Sequence, residues 1–298
     1  MYPQLNPSMN EKSSEERILY FGYGSNLDKD DWKRWCERKG HDPNGLKEIG
    51  PAWIDGYQLI FDYYSNGRKG GAANIKETSI PGRATAGALF EVDNLTLLAL
   101  DQKEGHPHSK YYQRSKVKVS MKDGIKLDAV TYIHHAVEDN FYPPTREYEN
   151  LIRKNLLRLG LSTKSLDNAL VNKFRPNIDH IFVYGTLMSN NSRNDILSDD
   201  CEFIAKGTVS GDLYRIHDYP GLIAGDGNVS GEIYRIQNPE KLIDYLDMIE
   251  GVNRDPPLFN RVILQVETDK GKIWSYSYQY ADTVKGLEKI NSGKWNAC

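Results

Sequence analysis

The chain has 298 residues, of which 39% are hydrophobic, and its formal net charge at pH 7 is −3. This length allows about one to three domains, and a pI of about 6.2 gives no sign of a nucleic-acid-binding surface. The sequence contains no apolar run long enough to cross a bilayer. No Cys-x-x-Cys pair occurs among its scattered cysteines, Cys36, Cys201 and Cys298. We therefore expect a globular protein of a reducing compartment, without a disulfide framework and without a membrane span.

The chain begins with a polar stretch, residues 1–16, that lacks the apolar core of a signal peptide. We interpret it as a solvated tail and predict a cytoplasmic protein. The first predicted strand is the apolar run that starts at Ile18. It leads into a loop in which glycine permits a tight turn or a close approach to a ligand. This loop is Tyr23-Gly24-Ser25-Asn26-Leu27.

The rest of the first half alternates predicted helices and strands. A helix is expected over 94–103, with Leu95, Leu98 and Ala99 on one face. It ends at Glu104-Gly105, because glycine commonly follows the last helical turn. The other expected elements are helices at 28–36 and after Pro143-Pro144, and strands at 56–61, 70–75, 86–92, 111–119 and 129–133.

The second half repeats this order. A strand at 180–183 leads into a second loop, Tyr184-Gly185-Thr186-Leu187, and a helix over 242–249 ends at Glu250-Gly251. Further strands are expected at 211–216, 231–236, 259–266 and 274–278. A Tyr-Gly loop followed by Leu-Asp-x-x-Glu-Gly thus occurs twice in the same order. The repetition predicts two related domains, 17–161 and 179–298, with a linker at 162–178.

These motifs carry a family resemblance. Tyr-Gly-Ser-Asn-Leu followed by Leu-Asp-x-x-Glu-Gly resembles the γ-glutamylcyclotransferase family, and Tyr-Gly-Thr-Leu with Leu-Asp-x-x-Glu-Gly resembles its shorter, avirulence-induced-gene-like or γ-glutamylamine cyclotransferase branch. The resemblance implies an α+β fold of two tandem domains, each a small mixed, partly closed β-barrel with flanking helices. It also implies substrate-binding residues in both halves: Tyr23, Gly24, Ser25, Asn26, Leu27, Tyr112, Tyr148, Tyr184, Gly185, Thr186 and Leu187.

The implied reaction closes the substrate on itself. The α-amine of a γ-glutamyl compound attacks the γ-carbonyl, which releases 5-oxoproline and a free amine without a metal or a nucleotide cofactor. Holding the two groups together can lower the barrier by about 7–11 kcal/mol. Glu104 and Glu250 are the candidate catalytic residues, because a partly buried carboxylate can take the proton from the ammonium and return it to the leaving amine. We therefore predict that both glutamates point inward.

Two other interpretations stay open. The protein could be a tandem module that binds a small ligand without turnover, because a fold alone does not establish an activity. Alternatively, one half could be active and the other structural. Phe259 stands in the second half where Tyr112 stands in the first, so the second half is the one expected to be inactive or weaker. The sequence does not predict an oligomeric state.

Neighbouring polar residues have less specific interpretations. Asp101 and Asp247 are expected to be structural and to bond nearby backbone, and Arg114 and Arg261 could bind a carboxylate or form salt bridges on a strand face. A dinucleotide fingerprint is excluded because Leu27 replaces its third glycine. A serine hydrolase is disfavoured because no Gly-x-Ser-x-Gly motif is present. The histidine pairs at 106/108 and 134/135 lack further ligands for zinc.

Overall fold

The structure is a computed structural model that describes residues 17–136, 140–189, 191, 193–198 and 200–296. The predicted tail at 1–16 lies outside the described residues. Each half forms a closed, five-stranded mixed β-barrel with flanking helices, so the predicted α+β class and the tandem arrangement are confirmed. No helix in the described ranges is long and apolar enough to cross a membrane.

The first barrel has the strand order β1-β5-β2-β6-β7, and β1 closes it by pairing in parallel with β7. The strands are β1 (Ile18–Gly22), β2 (Lys47–Asp55), β3 (Tyr57–Ser65), β4 (Gly70–Glu77), β5 (Ala84–Val92), β6 (Gln113–Ser120) and β7 (Lys126–Ile133). The helices are α1 (Lys29–Lys39), α2 (Asn94–Glu104), α3 (Arg146–Arg158) and α4 (Lys164–Leu170). Strands β3 and β4 form a separate antiparallel hairpin.

The second barrel has the order β10-β8-β12-β11-β9, and β9 closes it by pairing with β10. Its strands are β8 (His180–Val183), β9 (Cys201–Arg215), β10 (Pro220–Ile236), β11 (Phe259–Thr268), β12 (Gly271–Tyr280) and β13 (Glu288–Lys289), and its helices are α5 (Asp195–Ser198) and α6 (Pro239–Ile249). The parallel pair is β8 with β12, as β1 with β7 in the first barrel. The two barrels therefore share one topology.

Glycine occupies the same place in both barrels. A Cβ atom on Gly87 would lie 2.3 Å from the carbonyl oxygen of Gly22, and one on Gly231 would lie 2.3 Å from that of Val183. Both distances are too short for any side chain, so β5 and β10 need glycine where they cross the end of the first strand of their barrel.

A hydrophobic core joins the two halves. One continuous cluster of buried side chains contains residues of both barrels, and a second, smaller cluster lies within the second barrel. Trp53 of β2 meets Trp274 of β12 edge to face at 6.0 Å. Beside them, Asp55 accepts hydrogen bonds from Arg261 at 2.9 Å and from the Tyr276 hydroxyl at 2.7 Å. Because these contacts cross between the barrels, we expect the chain to unfold as one unit.

Two strands, β2 and the two-residue β13, were not predicted. The sequence gives no regular alternation over β2, because Gly50 and Pro51 interrupt it, and the strand accommodates them with a shift in register between Glu48 and Gly50. The first part of β9 was also missed. The predicted strands at 211–216 and 231–236 are the ends of the longer strands β9 and β10.

Helix α2 forms as predicted, but its expected apolar face is partly wrong. Leu95 is 77% exposed and Leu98 60%, whereas Ala99 is buried. The buried leucines of this helix are Leu97 and Leu100. The face that packs on the barrel is set by the tertiary position of the helix, which the spacing of the leucines alone did not indicate.

Candidate active site

Glu104 is placed by the end of α2. The helix begins after Asp93, whose side chain accepts a hydrogen bond from the Thr96 N–H, and it ends at Gly105, which has a left-handed φ of 80°. The last helical residue before that glycine is Glu104, and its partly buried side chain lines a pocket of about 1050 Å³. The glutamate therefore faces the pocket rather than the solvated side of the helix.

The loop after β1 forms the opposite wall of this pocket. Ser25–Leu27 is one turn of 3-10 helix, in which the Leu27 N–H donates to the Gly24 carbonyl at 3.2 Å. Among the described residues, the N–H groups of Gly24, Ser25 and Asn26 have no backbone acceptor, and all three residues line the pocket. Leu27 does not line it. Its side chain is fully buried in the core and anchors the turn.

Asn26 links the loop to Glu104. Its amide nitrogen Nδ2 donates to Glu104 Oε1 at 3.0 Å and to the Tyr20 hydroxyl at 2.7 Å. Its amide oxygen Oδ1 accepts a hydrogen bond from Lys103 Nζ, which also donates to Ser25 Oγ at 3.0 Å. Hydrogen bonds thus connect the Lys103 ammonium through the Asn26 amide to the carboxylate of Glu104, the candidate catalytic residue.

The predicted tyrosines line the same pocket. The Tyr23 hydroxyl donates to the Tyr132 carbonyl at 2.5 Å, and the Tyr112 hydroxyl donates to the Ala73 carbonyl at 2.8 Å. The Tyr148 hydroxyl accepts from the Ala73 N–H at 3.3 Å. Burial raises the pKa of Tyr23, Tyr112 and Tyr148, so each presents a neutral hydroxyl at physiological pH.

Several charged residues of the pocket were not predicted as site residues, among them Lys103, Arg68 and Asp31. Lys103 stands inside the Leu-Asp-x-x-Glu-Gly motif, but the motif alone does not say which side it faces. Arg68 lies in the turn between β3 and β4, where it forms an ion pair with Asp31 at 2.8 Å. Its guanidinium carbon lies 4.5 Å from the centre of the Tyr148 ring. Only the folding of the β3–β4 hairpin against α1 brings Arg68 here, so no sequence pattern could have identified it.

Asp101 is structural, although its partners differ from those predicted. It pairs with Arg114 through both carboxylate oxygens and accepts from the Tyr132 hydroxyl at 2.6 Å, so it bonds side chains rather than backbone. Of the two interpretations of Arg114, the structure therefore shows the salt bridge. The second half repeats the arrangement with its own three residues, Asp247, Arg261 and Tyr278.

The second loop is packed more closely against its barrel. The Tyr184 hydroxyl donates to the Tyr278 carbonyl at 2.7 Å and accepts from the Leu222 N–H at 3.3 Å. A Cβ atom on Gly185 would lie 2.7 Å from the Pro220 ring. Leu187 stands where the first loop has Asn26, and its side chain is buried. The second loop therefore has no amide side chain at this position.

Glu250 directly follows the last residue of α6 and precedes Gly251, whose φ is 64°. Burial raises the pKa of Glu250 to about 7, against the opposing effect of Arg193. Within the described part of the chain, the carboxylate forms no hydrogen bond. Phe259 is buried at the start of β11, where it supplies no hydroxyl. The larger pockets of this half, of about 560 and 470 Å³, are lined by other residues.

The structure thus brings the predicted residues of the first half, except the Leu27 side chain, into one pocket. In the second half it preserves the loop and the helix end but changes the polar residues around the glutamate. Among the described residues, no group of three or more His, Cys, Asp or Glu side chains could hold a metal ion.

Comparison with known proteins agrees with the repeated fold. The family model described as "Gamma-glutamyl cyclotransferase, AIG2-like" matches residues 20–150 and again residues 181–297. The chain therefore belongs to the γ-glutamyl cyclotransferase, AIG2-like family, with one family domain in each half. A comparison with curated proteins found no significant match.

Several solved structures are similar to parts of the chain. A structure titled "Gamma-glutamyl cyclotransferase" is 25% identical with a TM-score of 0.44, and the match covers 54% of this chain and 90% of that one. An AIG2-like protein from mouse is 27% identical with a TM-score of 0.34, covering 40% of this chain and 88% of its own. YkqA from Bacillus subtilis is 16% identical with a TM-score of 0.39, covering 90% of this chain and 85% of its own.

Proposed function

We propose that the first half is a γ-glutamyl cyclotransferase that acts on γ-glutamyl amines or γ-glutamyl amino acids and releases 5-oxoproline and a free amine. The observation that carries this proposal is the position of Glu104 in the same pocket as the N–H groups of Gly24, Ser25 and Asn26. A base and a set of amide donors therefore face one space, which is large enough for a small molecule to fold back on itself.

Glu104 is the proposed proton carrier. Asn26 holds its Oε1, and among the described residues Oε2 has no hydrogen bond, so Oε2 is the oxygen that takes a proton from the substrate α-ammonium. The freed amine nitrogen then forms a bond to the γ-carbonyl carbon. The new ring nitrogen gives up its surplus proton to solvent. When the bond from the carbon to the leaving nitrogen breaks, Glu104 returns its own proton to that nitrogen, which departs as a neutral amine. The same carboxylate is then restored for the next turnover.

The loop and the tyrosines have the other proposed roles. Attack on the γ-carbonyl places negative charge on its oxygen, and each correctly placed N–H donor can contribute about 10²–10³ in rate. The N–H groups of the first loop are the donors for this charge or for the substrate α-carboxylate. Tyr112 and Tyr148 hold neutral hydroxyls against the pocket, where they orient the substrate by hydrogen bonds.

We propose a different state for the second half, in which it contributes binding or structure and little or no turnover. Three features support this: Phe259 lacks the hydroxyl of Tyr112, Leu187 lacks the amide of Asn26, and the Glu250 carboxyl has no hydrogen bond in the described part of the chain. A carboxyl that no neighbour orients is a poorly positioned base. This is the interpretation with one active half.

A panel of γ-glutamyl compounds separates the candidates when 5-oxoproline is measured. We expect Glu104→Gln to lower kcat by about 10²–10⁴, the usual contribution of a general base, and Glu250→Gln to change it little. Glu77→Gln, on the exposed face of β4, is the control for loss of a glutamate. Activity that survives in the Glu104→Gln/Glu250→Gln double variant would reject the mechanism. Thermal stabilisation by a γ-glutamyl compound without turnover would favour the binding module.

A further inference from the structure

Lys103 lies next to Glu104 in sequence and is joined to it through Asn26 in space. We propose that Lys103 is a positioning residue of the first site: through the Asn26 amide it orients the Glu104 carboxylate. The inference rests on the proposed role of Glu104, and it adds a residue that neither the loop motif nor the glutamate motif specifies.

The first argument is the direction of the Asn26 amide. An ammonium group can only donate hydrogen bonds, so Lys103 Nζ must be met by the amide oxygen Oδ1. The amide nitrogen is then forced toward Glu104 Oε1, where it donates at 3.0 Å. Without Lys103 the Asn26 amide could rotate by half a turn and present its oxygen to the Glu104 carboxylate. The two oxygens would then repel each other. The lysine thus selects the amide orientation that leaves Oε2 free in the pocket.

The second argument is the burial of the ammonium. The Lys103 side chain is only 9% exposed, and a buried charge is tolerated when it is paired and hydrogen-bonded. Its Nζ lies 3.7 Å from Asp31, but Asp31 is shared with Arg68 at 2.8 Å. Glu104 is the next carboxylate to balance the two cations. Burial lowers the pKa of Lys103, and the nearby Glu104 and Asp31 carboxylates oppose this effect.

Other titratable groups also face this pair, and none replaces the lysine. The groups that interact electrostatically with Lys103 are Glu104, Asp31, Arg68 and Cys36. Those that interact with Glu104, besides Lys103, are Arg68, Tyr20, Tyr23, Tyr63, Tyr112 and Tyr148. The tyrosines are neutral at physiological pH, so Lys103 and Arg68 are the cations of this set, and of the two only Lys103 contacts the amide that holds Glu104.

The second half provides an internal comparison. In its motif Leu-Asp-Met-Ile-Glu-Gly, Ile249 stands in the place of Lys103, and in its loop Leu187 stands in the place of Asn26. The same fold without the ammonium and the amide leaves Glu250 without a hydrogen bond in the described residues, and burial raises its pKa to about 7. The polar pair is therefore a specific addition to the first site.

The test compares Lys103→Met, Lys103→Arg and wild type in two measurements. The first is the hydrogen exchange of the Asn26 side-chain amide by ¹H–¹⁵N NMR, assigned from the signal that is missing in Asn26→Leu. We expect exchange to be about tenfold faster in Lys103→Met, because the amide oxygen loses its charged partner, and to stay near the wild-type rate in Lys103→Arg. This measurement needs no turnover, so it decides the inference even if no γ-glutamyl compound is a substrate and the proposed function fails.

The second measurement is the steady-state rate with a γ-glutamyl substrate. In Lys103→Met kcat should fall about tenfold with little change in KM, because a positioned base is lost rather than a binding contact, and Lys103→Arg should retain most of the rate. Lys116→Met removes an exposed lysine of β6 and should leave both measurements unchanged.

A double variant tests whether Lys103 acts through Asn26. If it does, Lys103→Met and Asn26→Leu are not additive, and the pair loses no more activity than the worse single change. Thermal unfolding verifies that each variant is folded. Unchanged exchange of the Asn26 amide in Lys103→Met, or fully additive losses in the double variant, would overturn the proposal.

Discussion

Glu250 gives the prediction that follows most directly from the structure, because burial is the main cause of its raised pKa. The change is Glu250→Gln, which keeps the size of the side chain and removes its ability to ionise. In the unfolded chain the carboxyl titrates near 4.5, and in the folded chain near 7. Between these pH values the folded state holds a proton that the unfolded state has released.

The sign of the effect follows from this proton. The wild-type free energy of unfolding contains a contribution from the neutral carboxyl that is complete below about pH 4.5 and is lost as the pH rises through 7. Each pKa unit corresponds to about 1.4 kcal/mol, so the loss amounts to about 3 kcal/mol. The glutamine variant stays neutral throughout. Its stability relative to wild type should therefore increase by about 3 kcal/mol between pH 4.5 and pH 8.

Urea unfolding at a series of pH values measures this difference, and contributions from groups common to both proteins cancel. Asp244→Asn on the exposed side of α6 is the matched control and should show no such dependence on pH. A difference between Glu250→Gln and wild type that stays constant from pH 4.5 to 8 would refute the reasoning, because it would mean that the carboxyl titrates alike in the folded and unfolded chains.

Three further substitutions test other contacts. In Gly24→Ala the new Cβ would lie 3.1 Å from the Tyr148 hydroxyl, so the loop or this hydroxyl must move by a few tenths of an ångström. We expect kcat/KM to fall by about tenfold; an unchanged steady-state rate would contradict this. Tyr112→Phe should raise KM for a γ-glutamyl substrate and lower the free energy of unfolding by about 1 kcal/mol through the lost hydrogen bond, and unchanged values of both would argue against a pocket hydroxyl. Asp55→Asn should lower the free energy of unfolding by about 2 kcal/mol, because its hydrogen bonds to the Arg261 guanidinium weaken. Urea unfolding of this variant, followed by fluorescence and by circular dichroism, should still give one common transition. Two separate transitions in the wild-type protein would contradict the shared core.

The sequence predicted the parts of the site that depend on local structure. A strand that ends in Tyr-Gly and a helix that ends in Glu-Gly are each defined by a few adjacent residues. The left-handed conformations of Gly105 and Gly251 stop both helices where the motif predicts. The recurrence of both signatures in one order then revealed the tandem barrels.

The parts that the sequence did not predict depend on contacts between distant segments. Arg68 reaches the pocket only because the β3–β4 hairpin packs near α1, and the role of Lys103 depends on the side of α2 that faces the loop. The same cause explains the exposed Leu95 and Leu98. Strand β2 was missed for a local reason, because Gly50-Pro51 hides its alternation.

The meeting of Trp53 and Trp274 has a consequence for how such a tandem protein can evolve. Each half covers apolar surface of the other, so deleting either one would expose that surface to water. Deleting the second half would also leave Asp55 without Arg261 and Tyr276. Selection for solubility would then retain the second half even where its polar residues change. A half retained for this packing can differ in the hydroxyl, amide and ammonium groups around its glutamate while the shared apolar surface stays covered.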